Sequence, residues 1–228
     1  MKNLLRKAVP YLVVSTMLIW SALPTWAASD EETLRNAATV LQAMLASKDV
    51  PHSVLAKADC IIILPSVKKF AVGIGGTGGR GPMSCREGKD FTGKWSPPAM
   101  YSIGGASAGL QLGGTASDVV LLIMTGSAVE KVLTSKVKVG TDATAAAGPG
   151  ASAGMSGGAD ILTYSRTSGL FAGVSLNGAS LDPAADANKR LYGKPVSARE
   201  IVSGDVKATP AGAELVSLLN SKAPRHSE

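Results

Sequence analysis

The most restrictive feature of the sequence is the clustering of glycine in two tracts. Thirteen of the 26 glycines lie between Gly73 and Gly114, and a second tract, rich in glycine and alanine, spans residues 140–158. Glycine costs a helix about 1 kcal/mol relative to alanine, whereas in strands it marks bulges and close approaches between backbones. The tracts therefore predict closely packed β-strands, supported by an alternation of apolar residues in the first tract at Tyr101, Ile103, Leu110 and Leu112.

Short runs of aliphatic and β-branched residues predict further strands. The run that begins at Cys60 is expected to end at Pro65, since proline donates no hydrogen bond to a sheet. The predicted strands cover residues 60–64, 69–76 and 118–125, and residues 161–165 and 169–176 are expected to pair around a turn.

Helical patterns occupy both ends of the chain. Ser29 and Glu32 have the spacing of a capping box, and an apolar stripe that includes Leu34, Leu41 and Leu45 follows at helical spacing. This stripe is expected to pack on the core, the alternative being a helix that dips into a lipid surface. More helices are expected at residues 127–135, 186–192, 198–203 and 211–219. The fold class predicted is α+β, a twisted and mainly antiparallel sheet curled toward a barrel and flanked by N- and C-terminal helices.

The first 27 residues have the pattern of a secretory signal. Lys2, Arg6 and Lys7 precede an apolar stretch at residues 8–23, and Thr25-Trp26-Ala27 offers small residues for cleavage. An uncleaved membrane anchor is the alternative, and the small residues at the end of the stretch favour cleavage. The sequence thus predicts a signal peptide at 1–27, one domain at 28–223 and a frayed tail at 224–228, in a periplasmic or secreted protein.

Export bears on the two cysteines and on the charge. Cys60 and Cys85 form a candidate disulfide in an oxidising compartment, and two buried thiols that never meet are the alternative. Loss of the signal would lower the formal net charge from +6 to +3. A nucleic-acid binder would show a denser basic stripe with aromatic partners, so no nucleic-acid partner is expected.

A dinucleotide motif in the first glycine tract lacks its structural context. Residues 73–78 spell G-x-G-x-x-G after a predicted strand, but Gly79, Gly81 and Pro82 follow. Such a segment does not propagate the helix whose N-terminus would hold a pyrophosphate. A turn or a bulged hairpin is expected instead.

A hydrolase motif and a metal site are disfavoured on similar grounds. The string Gly-Ala-Ser-Ala-Gly at 105–109 and at 150–154 spells G-x-S-x-G, which would make Ser107 or Ser152 a nucleophile. A serine nucleophile needs a base, and the chain offers only His52 and His226, one in the N-terminal region and one near the end. Two distant histidines and two distant cysteines also have no metal-ligand spacing. No catalytic residue, metal or cofactor is expected.

A series of short strings along the chain resembles the SYLF lipid-binding domain family. The resemblance covers roughly residues 36–219, and the string Gly169-Leu170-Phe171-Ala172-Gly173-Val174-Ser175-Leu176-Asn177-Gly178 is its most distinctive part. The other strings are Leu64-Pro65-Ser66-Val67, Gly73-Ile74-Gly75-Gly76, Trp95-Ser96-Pro97-Pro98, Gly105-Ala106-Ser107-Ala108-Gly109, Gly148-Pro149-Gly150, Tyr164-Ser165-Arg166, Asn188 and Tyr192-Gly193.

The resemblance implies a non-enzymatic module that binds anionic phospholipid at a membrane surface. Local positive charge then selects Lys68, Lys69 and Arg80 as candidate lipid contacts, with the helix stripe of Leu34, Leu41 and Leu45 as a second candidate contact. The alternative to a lipid contact is that these basic residues lie on an ordinary solvent-exposed face. A scaffold protein of the cell envelope that binds another protein is the alternative function.

Overall fold

The computed structural model describes residues 25–72, 74–108, 113–148, 158–167, 169–176 and 178–226. The helices in these ranges are α1 (Thr25–Ala46), α2 (His52–Ala56), α3 (Gly126–Thr134), α4 (Ala185–Tyr192), α5 (Ala198–Val202) and α6 (Pro210–Lys222). The strands in these ranges are β1 (Cys60–Val72), β2 (Ile74–Cys85), β3 (Ala99–Ala108), β4 (Gly113–Ile123), β5 (Val137–Lys138), β6 (Ala145–Ala147), β7 (Ile161–Thr167), β8 (Leu170–Gly173) and β9 (Ser180–Pro183). The predicted α+β class is confirmed.

The nine strands form one sheet with the order β5-β9-β3-β2-β1-β4-β7-β6, and β8 pairs with β7. Within the described residues the β6–β7 ladder is parallel and the other ladders are antiparallel. The segment from β5 to β6 links the two edges of the sheet, and Val139 forms a bridge to Ala143 within it. The sheet is therefore curled, as predicted, rather than flat.

Side chains of the central strands alternate between two hydrophobic cores. Ile62 lies in a core that also contains residues of α3 and α5, and we call this side the inner face. Its neighbours Ile61 and Ile63 lie in a core closed by α1 and α6, on what we call the outer face. Both faces are covered along this part of β1, which explains why the sequence there is a continuous apolar run rather than an alternating one.

A β-bulge lets β1 continue past Pro65. Pro65 and Ser66 together oppose the single residue Asp118 of β4. The register of β1 shifts by one residue here, both against β4 and against β2. Ser66 has a left-handed φ of 51°, and its N–H donates to Oδ1 of Asp118 at 3.1 Å. The predicted strand end at Pro65 is therefore wrong, because a bulge accommodates a residue that cannot donate to the ladder.

Two other predicted boundaries are also wrong. The predicted strand 69–76 spans the end of β1 and the start of β2. Ser29 lies inside α1, which begins at Thr25, so it is not the N-cap. Beyond α6, the carbonyl oxygen of Pro224 accepts a 2.7 Å hydrogen bond from Nη2 of Arg86.

The structure pairs Cys60 with Cys85 in a disulfide. The two residues face each other across β1 and β2, with Cα atoms 4.0 Å apart, and both are buried on the inner face. The bond therefore closes the base of the β1–β2 hairpin, at the end of the sheet away from the turn.

Reducing this disulfide should lower the free energy of unfolding by about 3 kcal/mol, because the bond removes the loop-closure entropy of a segment of this length from the unfolded chain. Urea denaturation with and without dithiothreitol measures the difference. A Cys60→Ala, Cys85→Ala double variant serves as the control, since reductant should leave its unfolding curve unchanged. Equal stability of the native chain in both conditions would contradict the prediction.

Two glycines of the β7–β8 hairpin are required for different reasons. Gly169 has a φ of +89°, and a Cβ added there would meet no atom within 4 Å, so its backbone conformation is the constraint. A Cβ added to Gly173 would overlap the carbonyl oxygen of Gly148 and lie 3.0 Å from Cβ of Ala147. Close approach of another backbone is thus the constraint at Gly173.

Replacing Gly173 with alanine should destabilise the fold by about 1–3 kcal/mol, because the new methyl group forces the backbone of Gly148 to shift. Gly104→Ala is the matched control, since a Cβ there meets nothing within 4 Å. Thermal unfolding of the two variants measures the difference. The steric explanation fails if both variants unfold at the same temperature.

Candidate functional site

Lys68 and Lys69 lie on β1 just past the bulge. Consecutive strand residues point to opposite faces, and the register places Lys68 opposite Gly78 and Lys69 opposite Thr77. Both lysines are exposed, so neither face of the sheet is covered at this level. No salt bridge within the described part of the chain involves either lysine.

An exposed leucine lies at the same end of the sheet. Leu170 is 68% exposed and is the one large hydrophobic side chain in the described ranges that stands out to solvent. Arg166 of β7 lies opposite Asp118 of β4, and its neighbour Thr167 lies opposite Leu170 of β8. Leu170 is therefore at the level of the bulge along the strand direction. Three strand spacings separate β8 from β1, a distance of about 14 Å. We refer to Lys68, Lys69 and Leu170 together as the sheet end.

Arg80 is engaged in a buried ion network instead of projecting freely. It lies on the outer face of β2, and its Nη1 atom is 3.3 Å from Oδ1 of Asp30 on α1. Asp30 is fully buried and also accepts a 2.7 Å hydrogen bond from Nε of Arg190 on α4, which raises the pKa of Arg190. The network joins α1, β2 and α4, so Arg80 has a structural role. Its guanidinium is paired with the carboxylate of Asp30, which Arg190 shares.

The apolar stripe of α1 also belongs to the core. Leu34 and Leu41 are fully buried, and Leu45 packs half-buried against the outer-face core. The stripe therefore packs on the core, as expected, and the burial of Leu34 and Leu41 leaves the alternative contact with lipid without a surface. The same side chains cover the outer face of the sheet, and a helix cannot present one stripe to both the core and a membrane.

Replacing Asp30 with alanine should lower the free energy of unfolding by about 3 kcal/mol, because breaking a buried ion pair leaves two arginines without their partner. Glu32→Ala, an exposed change on the same helix, should stay within about 0.5 kcal/mol. Chemical denaturation of both variants measures the effect. A loss for Asp30→Ala as small as that of the control would show that the network does not hold α1.

The opposite end of the sheet, beside the disulfide, carries buried charges. Arg86 stacks on Trp95 with its guanidinium carbon 4.4 Å from the ring centroid, and it donates to the carbonyl oxygens of Ala58 and Pro224 at 3.3 and 2.7 Å. Burial raises the pKa of the neighbouring Asp59 carboxyl and lowers the pKa of Arg86. The C-terminal tail is therefore docked on a fixed cation.

A cavity of about 600 Å³ lies nearby, next to Cys85. Phe91, Leu133 and Val202 form its apolar part. At its rim Nη2 of Arg199 lies 2.6 Å from Oε2 of Glu130, and this hydrogen bond lowers the pKa of Glu130. Arg86, Glu87 and Lys89 also line the cavity, so its apolar part is bordered by charges of both signs.

The backbone disfavours the hydrolase alternative. Ser107 lies within β3, whereas a nucleophile elbow requires a turn between a strand and a helix. Ser152 and the second Gly-Ala-Ser-Ala-Gly string lie outside the described residues. His52 begins α2, and His226 lies near Asp59 at the disulfide end.

Among the described residues, no group of three or more His, Cys, Asp or Glu side chains is placed to hold a metal ion. No helix in the described ranges is both long enough and apolar enough to cross a membrane.

Comparison with known proteins decides the family. The profile of the Ysc84 family, described as Las17-binding protein actin regulator, matches residues 104–222. An SH3 domain-containing protein of Schizosaccharomyces pombe is 34% identical over 189 residues, which cover 79% of this chain and 43% of that protein. The chain belongs to the Ysc84, or SYLF, family. The resemblance noted from the sequence is thereby confirmed.

Other SYLF relatives come from yeast and mammals. LAS seventeen-binding protein 3 of Saccharomyces cerevisiae is 32% identical over 78% of this chain and 40% of its own length. SH3 domain-containing YSC84-like protein 1 of Mus musculus is 32% identical over 76% of this chain and 52% of its own length. The chain thus spans about half, or less, of the length of the curated relatives that it matches.

Sequence reasoning selected Lys68 and Lys69 as candidates, and both are exposed, but it missed three features of this SYLF domain. The exposure of Leu170, the network around Asp30 and the stacking of Arg86 on Trp95 all depend on contacts between distant segments. For the exposure of Leu170 there was one local signal, the adjacent Gly169. A glycine in a turn predicts that its neighbour at the hairpin tip is exposed.

Proposed function

We propose that this SYLF-family chain is a non-enzymatic module that binds anionic phospholipid surfaces through the sheet end. The observation that carries the proposal is the combination of two exposed lysines without salt bridges and an exposed leucine at one end of the sheet. Each basic group near an anionic membrane contributes about 1 kcal/mol, and an inserted leucine adds apolar burial. Such a mixture is typical of peripheral membrane contacts.

The geometry favours an approach in which the end of the sheet meets the membrane. Lys68 and Lys69 point to opposite faces of β1, so a membrane lying against one face would meet only one of them. A membrane that meets the sheet end-on is within reach of both lysines. We therefore propose end-on binding, with the disulfide end directed away from the lipid.

The proposal includes export of the protein to the periplasm or the exterior. The charged and apolar pattern of residues 1–27 supports a cleaved signal. The Cys60–Cys85 disulfide also supports it, because structural disulfides persist mainly in oxidising compartments.

Reversing both lysines, Lys68→Glu with Lys69→Glu, should weaken binding to phosphatidylglycerol-containing liposomes by about 100-fold, or roughly 3 kcal/mol, because attraction becomes repulsion at each position. End-on binding further predicts that the two single reversals weaken binding by similar factors. Liposome co-sedimentation at two salt concentrations measures the affinities, and binding of the native chain should fall with salt.

The matched control reverses Lys207 and Lys222, which are exposed and change the net charge equally. Both adjoin segments at the disulfide end, where Gly204 lies against Glu87 and Asn220 binds Trp95. Equal binding by the two double variants, both with native thermal transitions, would show that the sheet end is not the membrane contact.

A protein partner is the second candidate function, and the names of the relatives favour it. The family is described as Las17-binding, and the yeast relative is named for the same interaction. A scaffold role would bring this chain to another envelope protein, with lipid contact incidental. Liposome binding that does not depend on the anionic lipid fraction would favour the scaffold role over the lipid-binding module.

A further inference from the structure

A cationic cavity lies at the disulfide end, on the far side of the molecule from the sheet end. Its volume is about 440 Å³, and it opens between the segment after β2 and the C-terminal tail. None of the described residues that line it is acidic. We call it the tail pocket, and its basic side chains are Arg86, Lys94, Arg225 and His226.

Arg86 is a fixed cation with unused donors. It is 4% exposed, held by stacking on Trp95 and by the hydrogen bonds of Nε and Nη2 to two carbonyl oxygens. A guanidinium has five N–H donors, and Nη1 of Arg86 donates to no residue in the described ranges. Asp59 attracts Arg86 without accepting a hydrogen bond from it.

Other polar groups of the tail pocket also lack partners. Nδ1 of His226 is buried and has no hydrogen-bond partner among the described residues. Asn220 uses its Oδ1 atom on the backbone N–H of Trp95, which leaves its amide NH₂ as a donor. Lys94 is 72% exposed and only loosely paired with Glu87 at 3.7 Å, so it is free to turn toward a ligand.

We infer that the tail pocket binds a phosphate monoester group. Its two negative charges match several converging cations better than the single charge of a carboxylate does, and the unused Nη1 of Arg86 can donate to a phosphate oxygen. The volume leaves room for a small organic group attached to the phosphate. The inference does not depend on the proposed membrane contact, because the residues of the two sites are different.

The test uses Trp95 as the reporter. The chain has three tryptophans, so the full chain carrying Trp20→Phe and Trp26→Phe emits from Trp95 alone. Titration with sodium phosphate at constant ionic strength should change this emission in a saturable way, whereas sodium chloride should not. Lys94→Ala with Arg225→Ala should weaken the affinity at least tenfold, and Lys68→Ala with Lys69→Ala should leave it unchanged.

Lys94 and Arg225 are both exposed, so their removal should preserve the thermal transition. Should the double variant unfold early, charge-preserving Lys94→Arg is expected to retain phosphate affinity while Lys94→Ala alone loses it. A response to phosphate that does not saturate, that chloride reproduces, or that persists at full affinity in the folded Lys94 and Arg225 variant would overturn the inference.

A second arm identifies the source of the phosphate. Vesicles of phosphatidylcholine with phosphatidic acid are added to the chain carrying Lys68→Ala and Lys69→Ala. Co-sedimentation of this chain with the vesicles that inorganic phosphate abolishes indicates a lipid headgroup, and a change in Trp95 emission with inorganic phosphate but no vesicle binding indicates a free phosphate compound. Absence of both responses contradicts the site.

Discussion

The pairing of β1 with β4 is the constraint on which the rest of the structure depends. Their apolar runs bury side chains on both faces, so one ladder supplies residues to the inner-face and outer-face cores at once. Each fully buried aliphatic side chain contributes about 1.5–3 kcal/mol, and the two runs supply ten adjacent positions from Cys60–Leu64 and Val119–Ile123. Helices must therefore cover both faces here, which fixes where α1, α3, α5 and α6 lie. Beyond the bulge Val67 is still buried on the inner face, and the next two residues of β1, Lys68 and Lys69, are exposed.

Local periodicity made much of this fold predictable. Most strand runs, the stripe of α1 and the C-terminal helices are signals within about ten residues and are present in the structure, whereas the predicted strand 69–76 is divided between β1 and β2. The order of short motifs was also sufficient to predict the family. Because these features require no knowledge of distant contacts, the sequence alone sufficed.

The predictions that were wrong or incomplete concern residues whose contacts come from distant parts of the sequence. Continuation of β1 past Pro65 depends on Asp118, 52 positions from Ser66. Arg80 was expected at the surface because its partner Asp30 is 50 positions away, and the second partner, Arg190, is 160 positions from Asp30. The stripe of α1 was compatible with either core or lipid, and only the position of the sheet decides between them. The candidate site was accordingly predicted in part, at Lys68 and Lys69 but not at Leu170.

The two ends of the sheet use their cations differently. Lysines at the sheet end are exposed and form no salt bridge among the described residues, which suits contact with a fluid and variable surface. At the disulfide end a buried arginine is held by an indole ring and by backbone carbonyl groups, which suits recognition of one compact anion.

The bulge at Pro65 and Ser66 also sets the parity of everything beyond it. Leu64 and Val67 both face inward, although three positions separate them, because one extra residue is inserted between them. In a regular strand of the same sequence, Val67 would lie on the opposite face from Leu64, and Lys68 and Lys69 would exchange faces. The bulge absorbs the extra residue, so Val67 pairs with Ser117 and keeps the side it would have two positions after Leu64 in a regular strand. Deletion of one of the two bulge residues would therefore leave each lysine on its present face, whereas straightening of the strand at constant length would exchange the two charges.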